Sequence, residues 1–287
     1  MKLLKKYSPL LFLFFVGIIT HWQWFLSFSP LTHGDWNFYF KETQREFLSW
    51  PYLWDSSMLG GFSIGASMYW VNIFWGILSP FFNFALTERI LYFYPSVIFG
   101  LVGAYFLSKK INKSTISSII ASFVYVFNTY FILGGTGHLT LMAAFAIAPI
   151  VLLFFIKTLE GKKYFYALLT GFFAFVLSAY EFRAFYITAC VLAFYAIYHI
   201  SIIEKNITKK EIFINFYFAI IPIFIVFLLN FYWIFGFSRV GIFNSTDGVL
   251  GRGLFGNSFM DIRESLTLFH PFWTGSEYFP FVVQSIP

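Results

Sequence analysis

Long apolar runs, each about as long as a helix that crosses a bilayer, constrain this chain more than any other feature. Hydrophobic residues make up 59% of the 287 residues and charged residues only 11%, whereas a soluble domain carries about 25% charged residues. A spanning helix needs roughly 20 apolar residues, and a helix satisfies its own backbone hydrogen bonds in lipid. The sequence therefore predicts an all-α polytopic membrane protein. We expect no nucleic-acid partner behind the net charge of +6.

The lysines predict the orientation of the chain. Short loops that are rich in lysine stay on the cytoplasmic side of a membrane. We therefore expect the N-terminus and every lysine cluster to lie inside, and the connections between clusters to lie outside. Twelve of the thirteen lysines fall in four clusters, namely Lys2, Lys5 and Lys6; Lys109, Lys110 and Lys113; Lys157, Lys162 and Lys163; and Lys205, Lys209 and Lys210.

The alternation of apolar runs and lysines predicts a bundle of about seven transmembrane helices in the cytoplasmic membrane. Residues 1–236 would form this core. Residues 237–287 would form a second outer region, the start of a C-terminal part that we expect to continue in a longer protein. The predicted spans are 8–29, 90–108, 114–133, 139–156, 164–179, 184–203 and 212–235.

The apolar stretch 68–86 is predicted not to span, because a second crossing before Lys109 would place that cluster outside. We expect it to lie in the interface with a break near Ser79-Pro80, since proline ends regular helix. The alternative is that it spans and that Glu88-Arg89 forms a tight inner turn. The favoured interpretation gives a long first outer loop, 30–89, with interfacial helices that include an amphipathic helix at 35–49.

The four residues His33-Gly34-Asp35-Trp36 follow the first predicted span and are the leading candidate for chemistry. A carboxylate at this place would meet substrates at the outer membrane surface. Asp35 could act there as a general base or could organise a phosphate or metal site. The alternative is that Asp35 only caps the helix that follows. A cap needs neither His33 nor Gly34, and glycine permits close approach of a ligand to the backbone.

Glu181 and Arg183 interrupt about forty otherwise apolar residues and are the second candidate. Ionisable groups near membrane depth are costly and are often functional, and the planar guanidinium of an arginine can bind a phosphate through two hydrogen bonds. The alternative is a tight outer turn between two spans that simply needs polar residues. His138, at the end of the run Gly134-Gly135-Thr136-Gly137-His138, could join a pyrophosphate site, although such a run often forms only a turn.

Three short motifs resemble the GT-C membrane glycosyltransferases, and among them the YfhO-like bacterial membrane proteins. They are Gly34-Asp35 after the first span, the stretch 54–62 (Trp-Asp-Ser-Ser-Met-Leu-Gly-Gly-Phe), and Gly137-His138-Leu139. Asp55-Ser56-Ser57 stands where the family has Asn-Pro, and no second acidic motif is evident. The resemblance implies a GT-C-like bundle of seven core helices, and it leaves the need for a divalent metal open.

The resemblance implies that a sugar moves from a polyprenyl-phosphate donor to a glycan, lipid or protein acceptor on the extracytoplasmic face. Asp35 would be the catalytic residue, and the substrate-binding candidates would be His33, Asp55, His138, Glu181 and Arg183. Two other classes stay open: a transporter or flippase of envelope precursors, and a non-catalytic scaffold for envelope assembly. A transporter would carry charged groups near the bilayer midplane, whereas the charges of this chain gather at the predicted helix ends.

Overall fold

The structure is a computed structural model that describes residues 2–27, 29–31, 41–49, 54–55, 61–62, 64–128, 131–132, 135, 138–204 and 208–240. Apart from turns, these residues are helical except for one short ladder, in which Trp54–Asp55 pairs antiparallel with Gly61–Phe62. The predicted all-helical class is confirmed. The His33–Trp36 motif and all residues after 240 lie outside the described residues.

The helices are numbered here in chain order. The first half of the chain contains α1 (Lys2–Thr20), α2 (Trp22–Leu26), α3 (Lys41–Glu46), α4 (Tyr69–Leu78), α5 (Phe84–Glu88), α6 (Tyr94–Asn112) and α7 (Thr115–Val126). The second half contains α8 (Leu139–Gly161), α9 (Tyr164–Tyr180), α10 (Phe182–Tyr198) and α11 (Lys209–Val240). A 3₁₀-helix at Ile64–Met68 precedes α4, a π-helix at Arg89–Phe93 joins α5 to α6, and a second π-helix at His199–Ile203 extends α10.

Four helical segments in the described part of the chain are long and apolar enough to cross a membrane: Phe84–Asn112, Leu139–Gly161, Phe182–Ile203 and Lys209–Gly236. Their outward faces are apolar as well, since Phe194 is 73% exposed and Phe213 is 68% exposed. Large exposed apolar surfaces of this kind suit a lipid environment. The total of seven spans stays a prediction, because the apolar parts of α1, α7 and α9 are shorter than 18 residues.

Helix α8 lies at the centre of the bundle, with Leu139, Ala144 and Val151 fully buried. Its neighbour α6 approaches closely at Gly103, where an added Cβ would lie 2.7 Å from Cγ1 of Ile150. Small residues permit such close approach between helices, and close packing is what holds helices together in lipid.

The helices alternate in direction, so the bundle has two ends. The lysine end, defined by Lys110, Lys162 and Lys209, is joined by ion pairs from Lys110 to Glu160 and from Lys162 to Glu204. The other end, which we call the Glu181 end, holds the junction of α9 and α10, the start of α6 and the start of α8. Three of the lysine clusters therefore have described residues at the same end of the bundle, and the cytoplasmic location of this end stays a prediction.

Helix α7 ends well before the predicted limit of residue 133. It stops at Val126 and is twelve residues long. The side chain of Asn128 explains this end: its amide donates to the carbonyl of Tyr125 at 2.6 Å and its oxygen accepts from the N–H of Phe131 at 2.9 Å. These bonds compete with the helical backbone pattern and favour a turn.

The stretch 68–86 is broken where proline predicted it. Helix α4 ends at Leu78, and a turn separates it from α5. The ten residues of α4 are too few to cross a bilayer of ordinary thickness. The next span, predicted to begin at residue 90, instead begins at Phe84 and runs without interruption to Asn112. Glu88 and Arg89 therefore belong to this helix and not to the preceding loop.

Candidate functional site

The predicted site residues fall into two groups. Glu181, Arg183 and His138 are described with their side chains, and all three stand at the Glu181 end of the bundle. His33 and Asp35 lie outside the described residues. Asp55 is described only as backbone, in the two-residue strand Trp54–Asp55. The site is therefore described from the residues around segment 29–31, which precedes the His33–Trp36 motif in the chain.

Glu181 and Arg183 form a tight pair at the junction of α9 and α10. Glu181 adopts an extended conformation and caps α10, accepting from the N–H of Arg183 at 3.3 Å. Its two carboxylate oxygens also accept from Nε of Arg183 at 2.9 Å and from Nη2 at 3.0 Å. The side chain of Glu181 is 8% exposed and that of Arg183 is 68% exposed. The carboxylate of Glu181 thus caps α10 and pairs with Arg183, and this pairing holds the guanidinium in a fixed orientation at the surface.

Tyr180 ties this junction to the start of the α6 helix. Its hydroxyl donates to the carbonyl of Leu91 at 2.6 Å, and its ring lies 5.8 Å from that of Tyr92. The hydroxyl of Tyr92 in turn accepts from Nε1 of Trp75 at 3.2 Å. All three side chains are buried. The Glu181–Arg183 junction is therefore fixed to the π-helix Arg89–Phe93 and, through it, to α4.

A second Glu–Arg pair, Glu88 with Arg89, lies within the same region and is completely sealed. The side chains are 0% and 1% exposed, and Nη1 of Arg89 lies 3.2 Å from Oε1 of Glu88. Glu88 also accepts from the N–H of Leu31 at 2.7 Å, and Arg89 donates to the carbonyls of Ser29 at 2.8 Å and of Ala85. Buried charges are tolerated when they are paired and hydrogen-bonded in this way.

The sealed pair fixes the chain just before the leading candidate motif. Leu31 stands two residues before His33 and four before Asp35. Both hydrogen bonds from this pair to the 29–31 segment bind backbone groups, so they hold the course of the chain there. The sequence does not predict this function of Glu88 and Arg89. The available signal was an adjacent acid and base at the border of an apolar run, where ionisable groups deserve a structural or functional explanation.

His138 occupies the N-cap position of α8, where its side chain makes no capping hydrogen bond. The glycine run before it is partly explained by packing, since a Cβ on Gly135 would lie 2.7 Å from Cζ2 of Trp24. The ring of Trp24 lies 4.9 Å from that of Phe93, in the π-helix beside α6. The start of α8 therefore joins the same end of the bundle as Glu181 and Arg183.

A separate polar cluster lies at the lysine end. Glu204 accepts from the amide of Asn215 and pairs with Lys162 at 3.2 Å, and its Oε1 lies 3.4 Å from Nε2 of His199. Burial raises the pKa of Glu204, but the hydrogen bonds from Asn215 and Lys162 outweigh that effect and hold its pKa below the ordinary value. Glu204 is therefore an anion at neutral pH, surrounded by donors.

The described residues contain no group of three or more His, Cys, Asp or Glu side chains that could hold a metal ion. Asp35, which could organise a metal site, lies outside those residues.

Comparison with family models, with curated proteins and with solved structures found no match to this chain. The likeness to GT-C glycosyltransferases therefore rests on the three short motifs.

Proposed function

We propose that the chain is a membrane glycosyltransferase that moves a sugar from a polyprenyl-phosphate donor to an acceptor at the extracytoplasmic face. One observation carries the proposal. The exposed guanidinium of Arg183 and the anchored segment 29–31, which leads into the His33–Trp36 motif, are tied to the same π-helix at one end of the bundle.

The distribution of lysines supports the orientation that this activity needs. The described lysines of three clusters gather at the lysine end, and lysine-rich loops stay in the cytoplasm. The Glu181 end would then face outward, towards donors that have been moved across the membrane. Asp35 and Arg183 would meet lipid headgroups there, at the level where the phosphate of a polyprenyl donor lies.

The proposed chemistry assigns one proton transfer and one bond exchange. Asp35 removes the proton from an acceptor hydroxyl as its oxygen attacks the anomeric carbon of the sugar. The bond between that carbon and the phosphate oxygen breaks, and polyprenyl phosphate leaves with the bonding electron pair. Arg183 binds the departing phosphate and stabilises its charge, while Glu181 holds the guanidinium in place. His33, His138 and Asp55 would contribute further contacts to substrate.

The charge of Glu181 sets a limit on this role of Arg183. A paired carboxylate reduces the attraction of an arginine for a phosphate, because the net charge of the pair is close to zero. Glu181 engages Nε and Nη2 of Arg183 and so fixes the plane in which the guanidinium presents its N–H donors. The arginine would therefore act mainly through directed hydrogen bonds to the phosphate.

The direct test is sugar transfer by the purified protein in vesicles, with a radiolabelled polyprenyl-phosphate sugar as donor. Asp35→Asn keeps the size of the side chain and removes the base, so transfer should fall at least a hundredfold. Glu160→Gln at the lysine end is the matched control, since Glu160 is an exposed acid paired with Lys110, and it should retain parental transfer. Parental transfer by Asp35→Asn would refute the proposed role of Asp35.

The test of orientation uses an impermeant thiol reagent on intact cells. Cys190 is exposed and is first replaced by serine. A cysteine at Ser49, in the first predicted outer loop, should then react without permeabilisation, while one at Ser114, at the lysine end, should react only after it. The reverse pattern would place the Glu181 end in the cytoplasm and would exclude an extracytoplasmic reaction. Solute movement without transfer would favour the transporter alternative.

A further inference from the structure

An apolar cavity of about 260 Å³ lies between α10 and α11, above the surfaces of α8 and α9. The two helices contact each other along little of their length, so a cleft opens between them. Every residue that lines the cavity is apolar, and several on α10 are alanines, which widen the cleft. Representative lining residues are Phe155, Ala174, Ala193, Ala196, Phe216 and Ile223.

The cavity runs along most of α10. Its lining on that helix begins at Phe185, four residues after Glu181, and ends at Ile200.

The end of the cavity at Ile200 lies near the polar cluster. Ile200 and Phe216 both line it, and each follows a member of that cluster directly in the chain, His199 and Asn215 respectively. The portion of α11 that lines the cavity, residues 216–223, belongs to the half of the helix nearer the lysine end.

Two buried polar atoms of this cluster lack a polar partner among the described residues. They are Nδ1 of His199 and Oδ1 of Asn215, on residues that are 2% and 0% exposed. The other ring nitrogen of His199 lies 3.4 Å from Oε1 of Glu204. Buried polar atoms nearly always have a partner. Atoms without a protein partner, beside a cavity, indicate that a further polar group belongs at this place.

The charge around the cluster is net positive, since four lysines outnumber Glu204 and Glu211 at this end. Lys162 pairs with Glu204, and neighbouring lysines at the same end add to its charge, namely Lys163, Lys209 and Lys210. Such clusters at the cytoplasmic end of a helix attract anionic headgroups. A hydrocarbon chain would suit the apolar cavity, and an anionic headgroup would suit the lysines beside it.

We propose that the cleft between α10 and α11 binds an anionic phospholipid from the leaflet at the lysine end, with one acyl chain in the cavity and the headgroup among the lysines. The proposed headgroup site lies at the opposite end of α10 from Arg183, and the proposal does not depend on sugar transfer. Its ligand is a resident lipid and not a reactant.

The lining of the cavity suits an acyl chain, because it is apolar throughout. The lysines favour an anionic headgroup at the lysine end, whereas the phosphate of a polyprenyl-phosphate donor would lie at the Glu181 end under the proposed function.

The experiment uses the whole chain in phosphatidylcholine vesicles that contain a small fraction of phosphatidylglycerol with a photoreactive diazirine on one acyl chain. After illumination, adducts are mapped by mass spectrometry. We expect them to concentrate on residues 185–200 and 216–223. The same probe on phosphatidylcholine should label these residues several-fold less.

Two matched pairs of variants test the two halves of the site. Ala193→Phe fills the cavity and should remove most of this labelling, whereas Val191→Phe, at an exposed position of α10, should not. Lys162→Gln should reduce the preference for phosphatidylglycerol roughly fivefold. Lys113→Gln is its control, because both lysines end a helix in the left-handed conformation and only Lys162 pairs with Glu204.

Several results would overturn the proposal. Adducts spread evenly over all lipid-facing helices, or equal labelling by the two phospholipids, would show that the cleft is ordinary lipid contact. Efficient displacement of the probe by added polyprenyl phosphate would assign the cavity to the donor. Crosslinks between two copies of the chain through α10 would assign it to self-association.

Discussion

The two Glu–Arg pairs at the Glu181 end are chemically alike and structurally opposite. Glu88 and Arg89 are 0% and 1% exposed, whereas Arg183 exposes 68% of its side chain and Glu181 exposes 8%. The sealed pair forms hydrogen bonds with backbone groups of residues 29, 31 and 85. The open pair caps a helix and presents a guanidinium to the surface. The comparison separates an arginine that holds the chain in place from one that a ligand can reach.

The largest effect is expected from Arg89→Met. This change leaves the carboxylate of Glu88 buried without its cation and should reduce the free energy of unfolding by about 3–5 kcal/mol. The measurement is unfolding in mixed detergent micelles, followed by tryptophan fluorescence. A loss below 1 kcal/mol would show that the pair is hydrated and not sealed.

The double change Glu88→Leu with Arg89→Met separates stability from positioning. Apolar replacement of both partners removes the unpaired charge, so the double variant should regain roughly 2 kcal/mol relative to Arg89→Met alone. Leu31 and Ser29 nevertheless lose their hydrogen-bond partners, so sugar transfer should stay low under the proposed function. Recovery of transfer together with stability would mean that the anchoring of residues 29–31 is unimportant for activity.

An intermediate effect is expected from Tyr180→Phe, which cuts the hydrogen bond between the two regions. Loss of the bond to the carbonyl of Leu91 should reduce the free energy of unfolding by about 1 kcal/mol. Tyr105→Phe is the control, because Tyr105 is also buried and its hydroxyl has no hydrogen-bond partner among the described residues. Equal losses in the two variants would remove the special role of Tyr180.

The smallest effect on stability is expected from Arg183→Gln, at less than about 1 kcal/mol, because the guanidinium is exposed and Glu181 keeps its bond from the backbone N–H of residue 183. Its effect on transfer should be large, roughly a hundredfold under the proposed function. Arg45→Gln, at an exposed position of α3, should change neither quantity. A variant of Arg183 with parental transfer and parental stability would leave the open pair as a simple helix cap.

The sequence predicted the helical class, but it predicted the ends of individual helices less well. Helix α9 matches the predicted span almost residue for residue, and the break after Leu78 lies beside the proline that predicted it. The early end of α7 depended on hydrogen bonds from a single side chain, Asn128. Hydropathy averages over about twenty residues, so it cannot resolve a helix end that one amide decides.

The candidate site was harder to predict than the fold. Glu181 and Arg183 were identifiable because they interrupt an apolar stretch, and their pairing is local, two residues apart. Glu88 and Arg89 were assigned to a loop because charges usually mark the ends of spans. Their role became visible only from partners 57 and 60 residues away in the chain.

The sequence by itself determined that this chain is helical, that its surface is apolar, and that its lysines gather in four clusters between apolar runs. These properties follow from composition and local spacing, because in lipid each segment must satisfy its own backbone. Only the tertiary structure decided which charged pair is sealed, which is open, and where a cleft remains between α10 and α11. Burial of a side chain depends on segments that are distant in the chain, and no local pattern specifies which of them will cover it.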